Sequence, residues 1–283
     1  AVKIIKKHIS EGNLDNDSHV FNLQFIGSAT GLIEPEILAK IATKWEKNVR
    51  NAGVGPIWED CFRESLEKRA LKVAYLSADF CNHPVARFLL PILKAHNKKS
   101  LEIFCLSCGP HKDSVTELIS KSCANFINVE KINDNQLARL ISDLKIDILI
   151  ELGGYTGFNR LKTLIYKPAP IQLSYLGYFA PTYLSCIDGW IGDKELFNGL
   201  NPFDKEQKLI CINGGYMAFK PLEIPKLNRA KGDHIRFGSF NNSRKLTKES
   251  VNLFCKVVGN SPHSQIVIKS ITFVEEEEKL RVK

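Results

Sequence analysis

From residue 71 onward, short runs rich in Val, Ile and Leu alternate with segments of helical length, and this alternation limits the possible folds more than any other feature. Continuous apolar runs indicate strands that are buried on both faces. Strands of this kind, separated by helices, form a parallel sheet covered on both sides. We therefore predict an α/β fold with a Rossmann-like lobe over residues 70–220. The apolar runs of this lobe are LKVAYLS, LEIFCLS, NFINV, IDILIEL, IQLSYLGY, CIDGWIG and KLICI.

Two further regions flank this predicted lobe. Residues 1–66 form a predicted helical N-terminal segment, in which Pro35 stands near the start of an amphipathic helix that includes Trp45. Residues 220–232 contain two prolines and several charges, which is typical of a linker. A strand–helix–strand pattern follows at 233–283, with too few strands to bury both faces of a sheet. We expect this region to be the incomplete start of a second Rossmann-like lobe.

The composition argues against several classes of function. The net charge of +8 comes from Lys and Arg residues that are scattered along the chain, so we expect no nucleic-acid partner. No apolar run approaches the roughly 20 residues that cross a bilayer. Residues 1–20 are polar and unlike a signal peptide, so we expect no membrane association.

The eight cysteines have no regular spacing, and several lie within apolar runs. This favours free thiols in a reducing, cytoplasmic setting. Cys105 and Cys108 form a single C-x-x-C without a second pair, whereas a zinc site needs four ligands. We therefore predict that these thiols pack at the end of a strand, and we expect no bound metal.

A loop with possible catalytic chemistry follows the first predicted strand and reads SADFCNHP, residues 77–84. Pro84 begins a predicted helix, so His83 lies at a helix N-terminus, where the partial positive charge disfavours the imidazolium form. A neutral imidazole can accept or donate a proton near physiological pH, which makes His83 a candidate catalytic residue. For a single histidine, helix capping or packing against Phe80 is the commoner role.

The loop ELGGYTG, residues 151–157, also follows a buried strand directly. Its glycines allow a ligand to approach the backbone closely, and the hydroxyl groups of Tyr155 and Thr156 can form hydrogen bonds. A glycine-rich turn that only connects two elements is about as common. The spacing is neither that of a dinucleotide-binding motif nor that of a P-loop.

The loop FNNSRKLT, residues 240–247, joins a predicted strand to a predicted helix whose N-cap is Thr247. Helix N-termini attract phosphate, and Arg244 or Lys245 could neutralise a diphosphate leaving group. A solvated basic loop is an equally frequent reason for such a sequence.

The three loops, in this order and spacing, resemble the catalytic region of the O-linked N-acetylglucosamine transferase (SPINDLY-like) family. The resemblance extends over roughly residues 18–270, and the segments are much more specific as a set than singly. The segments that carry it are VAYLSADFCNHPVARFLLPILKAHN, ILIELGGYTGFNR, KPAPIQLSYLGYFAPT, IDGWIGDKE and FGSFNNSRKLTKES.

The resemblance implies a GT-B architecture with two Rossmann-like lobes. It also implies inverting transfer of N-acetylglucosamine from UDP-GlcNAc to Ser or Thr of proteins, without a cofactor or metal. His83 matches the family's active-site histidine, and Lys245 matches the lysine that contacts the donor diphosphate. The remaining implied donor or substrate contacts are Asn242, at a position that is commonly Gln, together with Arg244, Gly154, Tyr155 and Thr156.

Several departures from the family pattern leave alternatives open. Arg244 replaces the more usual Tyr, most of the second lobe is absent, and no tetratricopeptide array precedes the match. Since the chain begins with Ala and ends within a predicted helix, we expect a piece of a longer protein. The sequence therefore leaves three alternatives open. The first is a related transferase with another donor, such as GDP-fucose, or another acceptor. The others are a non-catalytic binding module and an unrelated doubly wound protein that binds a phosphorylated metabolite.

Overall fold

The chain folds into two compact units, each with its own parallel sheet. Among the residues that the structure describes, the first sheet has seven strands and the second has two. The first unit comprises residues 1–28 and 32–222, and the second comprises residues 29–31 and 223–283. The structure, a computed structural model, describes residues 16–57, 69–198, 208–220, 226, 234–241, 246–270 and 273.

Within residues 16–57, two helices precede the first sheet. Helix α1 spans Asp17–Thr30 and helix α2 spans Pro35–Asn51. Proline suits the first position of α2, because the backbone N–H that it lacks would have no partner within the helix. Trp45 of α2 is almost fully buried and belongs to the same apolar core as the sheet. The described part of the predicted helical N-terminal segment therefore packs into the first unit, whereas residues 1–15 and 58–66 of that segment lie outside the described residues.

Strands and helices then alternate along the first unit. The strands are β1 (Leu71–Ser77), β2 (Leu101–Ser107), β3 (Asn125–Asn128), β4 (Ile148–Glu151), β5 (Ile171–Ser174), β6 (Gly189–Gly192) and β7 (Lys208–Cys211). The helices are α3 (Pro84–Ala95), α4 (Ser114–Ser120), α5 (Asp134–Asp143), α6 (Leu161–Ile165) and α7 (Lys194–Phe197).

All seven strands run parallel, in the spatial order β3-β2-β1-β4-β5-β6-β7. Strand β1 lies between β2 and β4, so the connections leave β1 towards one edge of the sheet and return on its other side. In open α/β sheets, ligands bind at this reversal of strand order, beyond the carboxyl ends of the strands. The loops that follow β1 and β4 lie at that point.

The sheet is covered on both faces because successive residues of a strand point in opposite directions. Val73 and Tyr75 of β1 pack in one core, together with residues of α3 and α4. Ala74 and Leu76 pack in a second core, together with residues of α1, α2, α5 and α6. This double burial explains why the strands were visible in the sequence as continuous apolar runs.

A buried carboxylate on α2 forms hydrogen bonds with the loop between β5 and β6. Glu46 is 4% exposed, and its Oε2 accepts the backbone N–H of Ser185 at 2.7 Å. Its Oε1 accepts the Ser185 hydroxyl at 2.7 Å and the guanidinium of Arg50 at 2.6 Å. Since buried charges are stable only when they are paired, this cluster fixes the position of α2 on the first unit.

The second unit contains strand β8 (Ile235–Ser239), helix α8 (Lys248–Gly259) and strand β9 (Ser264–Ile268). The two strands are parallel, as a strand–helix–strand repeat requires. The Thr247 hydroxyl caps α8 by accepting the backbone N–H of Ser250 at 3.3 Å, which confirms the predicted N-cap. Helix α8 has no buried residue.

The structure agrees closely with the strand and helix predictions. Strands β1 and β2 and helix α3 have the predicted bounds, whereas the short helices α6 and α7 were not predicted. Cys105 and Cys108 are buried free thiols at the end of β2, which confirms strand-end packing. In the part of the chain that the structure describes, no helix is both long enough and apolar enough to span a bilayer.

We expect Glu46→Ala to lower the free energy of unfolding by about 1–3 kcal/mol, because it removes the acceptor of the Ser185 N–H and hydroxyl groups and the partner of Arg50. Urea denaturation followed by circular dichroism measures this loss. Lys47→Ala, which truncates an exposed side chain on the same helix, is the control. Equal midpoints for the two variants would contradict the anchoring role of Glu46.

Candidate active site

The loops that follow β1, β2 and β4 meet at the carboxyl edge of the sheet. The backbone N–H of Leu152, just after β4, bonds to the carbonyl of Leu76 in β1 at 3.0 Å. The N–H of Cys108, just after β2, bonds to the carbonyl of Ser77 at 3.0 Å. These bonds extend the sheet pairing into the loops, so the groups that follow each strand are held close together.

His83 caps helix α3 in the loop that follows β1. Its Nδ1 accepts the backbone N–H of Val85 at 3.4 Å, and Pro84 supplies the first helical residue. The side chain of His83 is 44% exposed, so the imidazole is accessible to solvent. The capping role that the sequence left open is therefore present, and it leaves Nε2 of the same ring available to a ligand.

Asp79 lies beside His83, a neighbour that the sequence interpretation did not assign. Its Oδ2 is 3.6 Å from Nδ1 of His83, and the Asp79 side chain is 23% exposed. Burial raises the pKa of Asp79, and the positive charge that His83 can carry lowers it. The loop thus holds a carboxyl group and an imidazole within ion-pair distance at the reversal of strand order.

Glu151, the last residue of β4, holds the glycine turn that follows it. Its Oε1 accepts the backbone N–H of Gly153 at 2.6 Å, and its two oxygens accept that of Gly154 at 2.9 and 2.8 Å. The side chain is buried, and burial raises the pKa of Glu151 to about 7. The two N–H groups lower this pKa, while the nearby charge of Asp79 raises it.

Two glycines in this region are required by close packing. Gly154 adopts a positive φ of 52°, and a Cβ atom there would lie 2.4 Å from the Tyr178 side chain. A Cβ atom on Gly177 would lie 1.9 Å from the carbonyl oxygen of Leu152. Only glycine fits these positions, which explains the GG and LGY sequences of the motifs.

The structure places the Tyr155 hydroxyl in the interior. This hydroxyl donates to the carbonyl of Thr182 at 2.7 Å, and the ring packs against Phe21 and Tyr178. Because the Tyr155 hydroxyl donates its hydrogen bond to the protein backbone, Tyr155 anchors the loop. The Thr156 hydroxyl donates to the carbonyl of Gly153 at 2.7 Å and remains partly exposed.

The third predicted loop is described only at its ends. Phe240 is exposed after β8, while Leu246 is buried just before α8. Asn242, Arg244 and Lys245 lie outside the described residues. Their assignment to donor binding stays a prediction from the sequence.

Two of the chemically distinctive groups were missed at the sequence level. Asp79 and Glu151 both lie within the quoted motifs, and each follows or ends an apolar strand. A carboxylate at the end of a buried strand could have indicated them, since such a group must have buried partners. Among the described residues, no group of three or more His, Cys, Asp and Glu side chains could hold a metal ion.

Comparison with known proteins defines the family. The model of glycosyl transferase family 41 matches residues 57–202, which include β1 to β6 and the loops that follow β1, β2 and β4. This match covers more than half of the chain. The chain belongs to glycosyl transferase family 41. The predicted resemblance to the SPINDLY-like transferases is thereby confirmed.

Several curated proteins from plants are similar to this family 41 chain. The probable UDP-N-acetylglucosamine–peptide N-acetylglucosaminyltransferase SEC of Arabidopsis thaliana is 28% identical over 217 residues, which are 72% of this chain and 22% of the relative. The SPINDLY protein of Oryza sativa subsp. japonica, whose name states the same probable activity, is 29% identical over 72% of this chain and 23% of its own length. The chain thus spans less than a quarter of the relatives' length.

A solved structure supports the fold. A variant of the O-GlcNAc transferase from Thermobaculum terrenum matches 98% of this chain and 54% of its own chain, with a TM-score of 0.85 and 23% sequence identity. Together with the seven-stranded parallel sheet, this likeness confirms the predicted α/β fold of the GT-B type.

We expect Gly154→Ala to lower the free energy of unfolding by roughly 2–5 kcal/mol, because it adds left-handed strain and a collision with Tyr178. Gly157→Ala in the same loop is the matched control, since its added Cβ meets no atom within 4 Å. We expect the control to change stability by no more than about 0.5 kcal/mol. Chemical denaturation of both variants checks this, and similar losses would contradict the packing described here.

Glu151 should make folding stability depend on pH. Its pKa is about 7 in the folded chain against an ordinary value of 4.5, so the folded state keeps a proton that the unfolded state loses. The stability that this group contributes is therefore present at low pH and is lost as the pH rises from the ordinary pKa of 4.5 to the folded-state pKa of about 7. Relative to Glu151→Gln, we expect the wild type to lose about 3 kcal/mol between about pH 4 and about pH 8.

Urea denaturation at several pH values measures this difference. Glu117→Gln, which removes an exposed carboxyl group on α4, is the matched control. A stability difference between the wild type and Glu151→Gln that stays constant with pH would show that burial does not raise the pKa of Glu151.

Proposed function

We propose that this chain is part of an inverting glycosyltransferase that moves N-acetylglucosamine from UDP-GlcNAc to Ser or Thr hydroxyl groups of proteins. Membership of family 41 and the printed activities of the plant relatives support this proposal. The observation that carries it is the position of His83, beside Asp79, at the reversal of strand order. An accessible imidazole at this point suits proton transfer from a hydroxyl group.

In the proposed reaction, the acceptor hydroxyl attacks the anomeric carbon of the sugar. The bond from this carbon to the diphosphate breaks, and UDP leaves with the bonding electrons. His83 accepts the proton that the hydroxyl group loses. Because the nucleophile attacks opposite the leaving group, the configuration at the anomeric carbon inverts.

The leaving diphosphate gains negative charge, so a nearby cation lowers the barrier. We assign this role to Lys245, supported by its place in the sequence motif, with Asn242 and Arg244 as further donor contacts. The proposal invokes no metal ion. We assign acceptor binding to residues 70–220 and the start of a donor-binding lobe to residues 233–283.

The turn after β4 has a supporting role in this proposal. Gly154 brings the backbone close to Tyr178, and Thr156 offers a partly exposed hydroxyl oxygen. Buried free thiols such as Cys105 and Cys186 are usual in reducing compartments, which supports a cytoplasmic location.

Radiolabelled sugar transfer by the complete gene product tests the proposal. We expect incorporation into protein from UDP-GlcNAc, and a loss of about 10²–10³-fold in kcat for Lys245→Ala, since preorganised charge partners contribute that much. We expect His83→Ala to lower kcat less if water can also accept the proton. Lys248→Ala, at the start of α8, is the matched control for Lys245.

The outcomes separate the alternatives. Transfer from GDP-fucose but not from UDP-GlcNAc would replace the donor and keep the reaction class. No transfer from any nucleotide sugar would favour a non-catalytic binding module. Wild-type turnover in Lys245→Ala would remove that residue from the site.

A further inference from the structure

Nδ1 of His83 has two neighbours that require opposite protonation states. The backbone N–H of Val85 lies 3.4 Å away and needs a lone pair on Nδ1. The Asp79 Oδ2 atom lies 3.6 Å away and, when ionised, favours a proton on Nδ1. A neutral imidazole carries only one ring proton, so it can satisfy only one of these neighbours.

The choice between them decides what Nε2 can do. A ring with its proton on Nδ1 has a lone pair on Nε2 and can accept a proton there. A ring with its proton on Nε2 can only donate from that atom. Since a general base must have a free lone pair, only the first tautomer can take a proton from a hydroxyl group through Nε2.

We infer that Asp79 is a positioning residue that holds the ring proton of His83 on Nδ1 and so leaves Nε2 as the basic nitrogen. This inference rests on the proposed function, because it assigns a task to the same histidine. It goes further by naming the residue and the ring atom through which that task is controlled.

The relative strength of the two contacts favours Asp79. The N–H of Val85 is at the long end of hydrogen-bond distances. Val85 is in the first turn of α3, where backbone N–H groups have no partner within the helix, so a proton on Nδ1 leaves this N–H without its cap, and the interaction with Asp79 must outweigh that loss. A hydrogen bond to an ionised partner is roughly twice as strong as a neutral one. Because the 3.6 Å between Oδ2 of Asp79 and Nδ1 exceeds a hydrogen-bond distance, the inference requires these two atoms to move closer together.

Asp79 lies among groups that affect its charge. Glu151 at the end of β4, Cys108 after β2 and Cys81 on its own loop all interact electrostatically with it. Burial raises the pKa of Asp79, while His83 lowers it. The positive charge that His83 can carry is thus the interaction that favours the ionised carboxylate of Asp79.

The tautomer can be measured without any activity. The chain has seven histidines, so long-range ¹H–¹⁵N spectra of the ¹⁵N-histidine-labelled chain are tractable, and His83→Gln assigns the resonances. At about pH 8, where imidazole is ordinarily neutral, we expect Nδ1 of His83 to have the protonated shift and Nε2 the unprotonated shift. The opposite pattern in the wild type would overturn the inference, whether or not Asp79→Asn folds.

Substitution of Asp79 supplies the second test. We expect Asp79→Asn to move the proton to Nε2, because the amide can donate to Nδ1. Asp143→Asn, which removes an exposed carboxylate at the end of α5, should leave the tautomer unchanged. An Nδ1–H tautomer that persists in Asp79→Asn would show that another group holds the proton.

Kinetics then separate this inference from the proposed function. In the complete gene product, we expect Asp79→Asn to lower kcat to the same extent as His83→Ala, with little change in KM, because Asp79 acts only through that histidine. Unchanged kcat in Asp79→Asn, with transfer intact, would overturn the inference and leave the proposed function standing. A wild type with the Nδ1–H tautomer but no transfer would refute the proposed function and support the tautomer assignment.

Discussion

The carboxyl group of Glu151 accepts the backbone N–H groups of Gly153 and Gly154 at the point where β4 leaves the sheet. The glycine turn is buried, so without this acceptor its N–H groups would lose their partners away from water. With it, the turn is fixed against Tyr178 and next to the end of β1. The geometry of the candidate site therefore depends on a side chain that need not touch a substrate.

The strand order places the Glu151 turn next to the loop that contains His83. Because β1 and β4 are parallel neighbours, their carboxyl ends bring the His83 loop and the Glu151 turn to one edge. The same edge carries two carboxyl groups, of Asp79 and Glu151, whose pKa values are both raised by burial. Burial next to a hydrogen-bonding or charged partner is a frequent property of functional sites. The fold thus brings an imidazole and two carboxyl groups to the edge where α/β proteins bind their ligands.

Much of the first unit could be predicted because its strands are apolar on both faces. The runs at 71–77 and 101–107 are distinct in the sequence, and Pro84 marks the start of α3. Helices α6 and α7 were not predicted, because five and four residues are too few to show helical periodicity. Their position depends on packing with distant parts of the chain.

The site was predicted less completely, for a related reason. A hydroxyl group in a glycine-rich loop suggested ligand binding by Tyr155, but its acceptor is Thr182, 27 residues later in the chain. The importance of Asp79 likewise follows from its distance to His83, which no sequence pattern gives. Spacing identified the loops, whereas the partner of each side chain required the structure.

Hydrogen–deuterium exchange of the complete gene product, with and without UDP-GlcNAc and an acceptor peptide, tests most directly whether the carboxyl edge is the site. The account predicts slower exchange in the segments 78–85 and 152–157. Segments 97–100 and 144–147, which precede β2 and β4 at the opposite edge, should be unchanged. Protection of these opposite segments, with no effect on the loops after β1 and β4, would contradict the account.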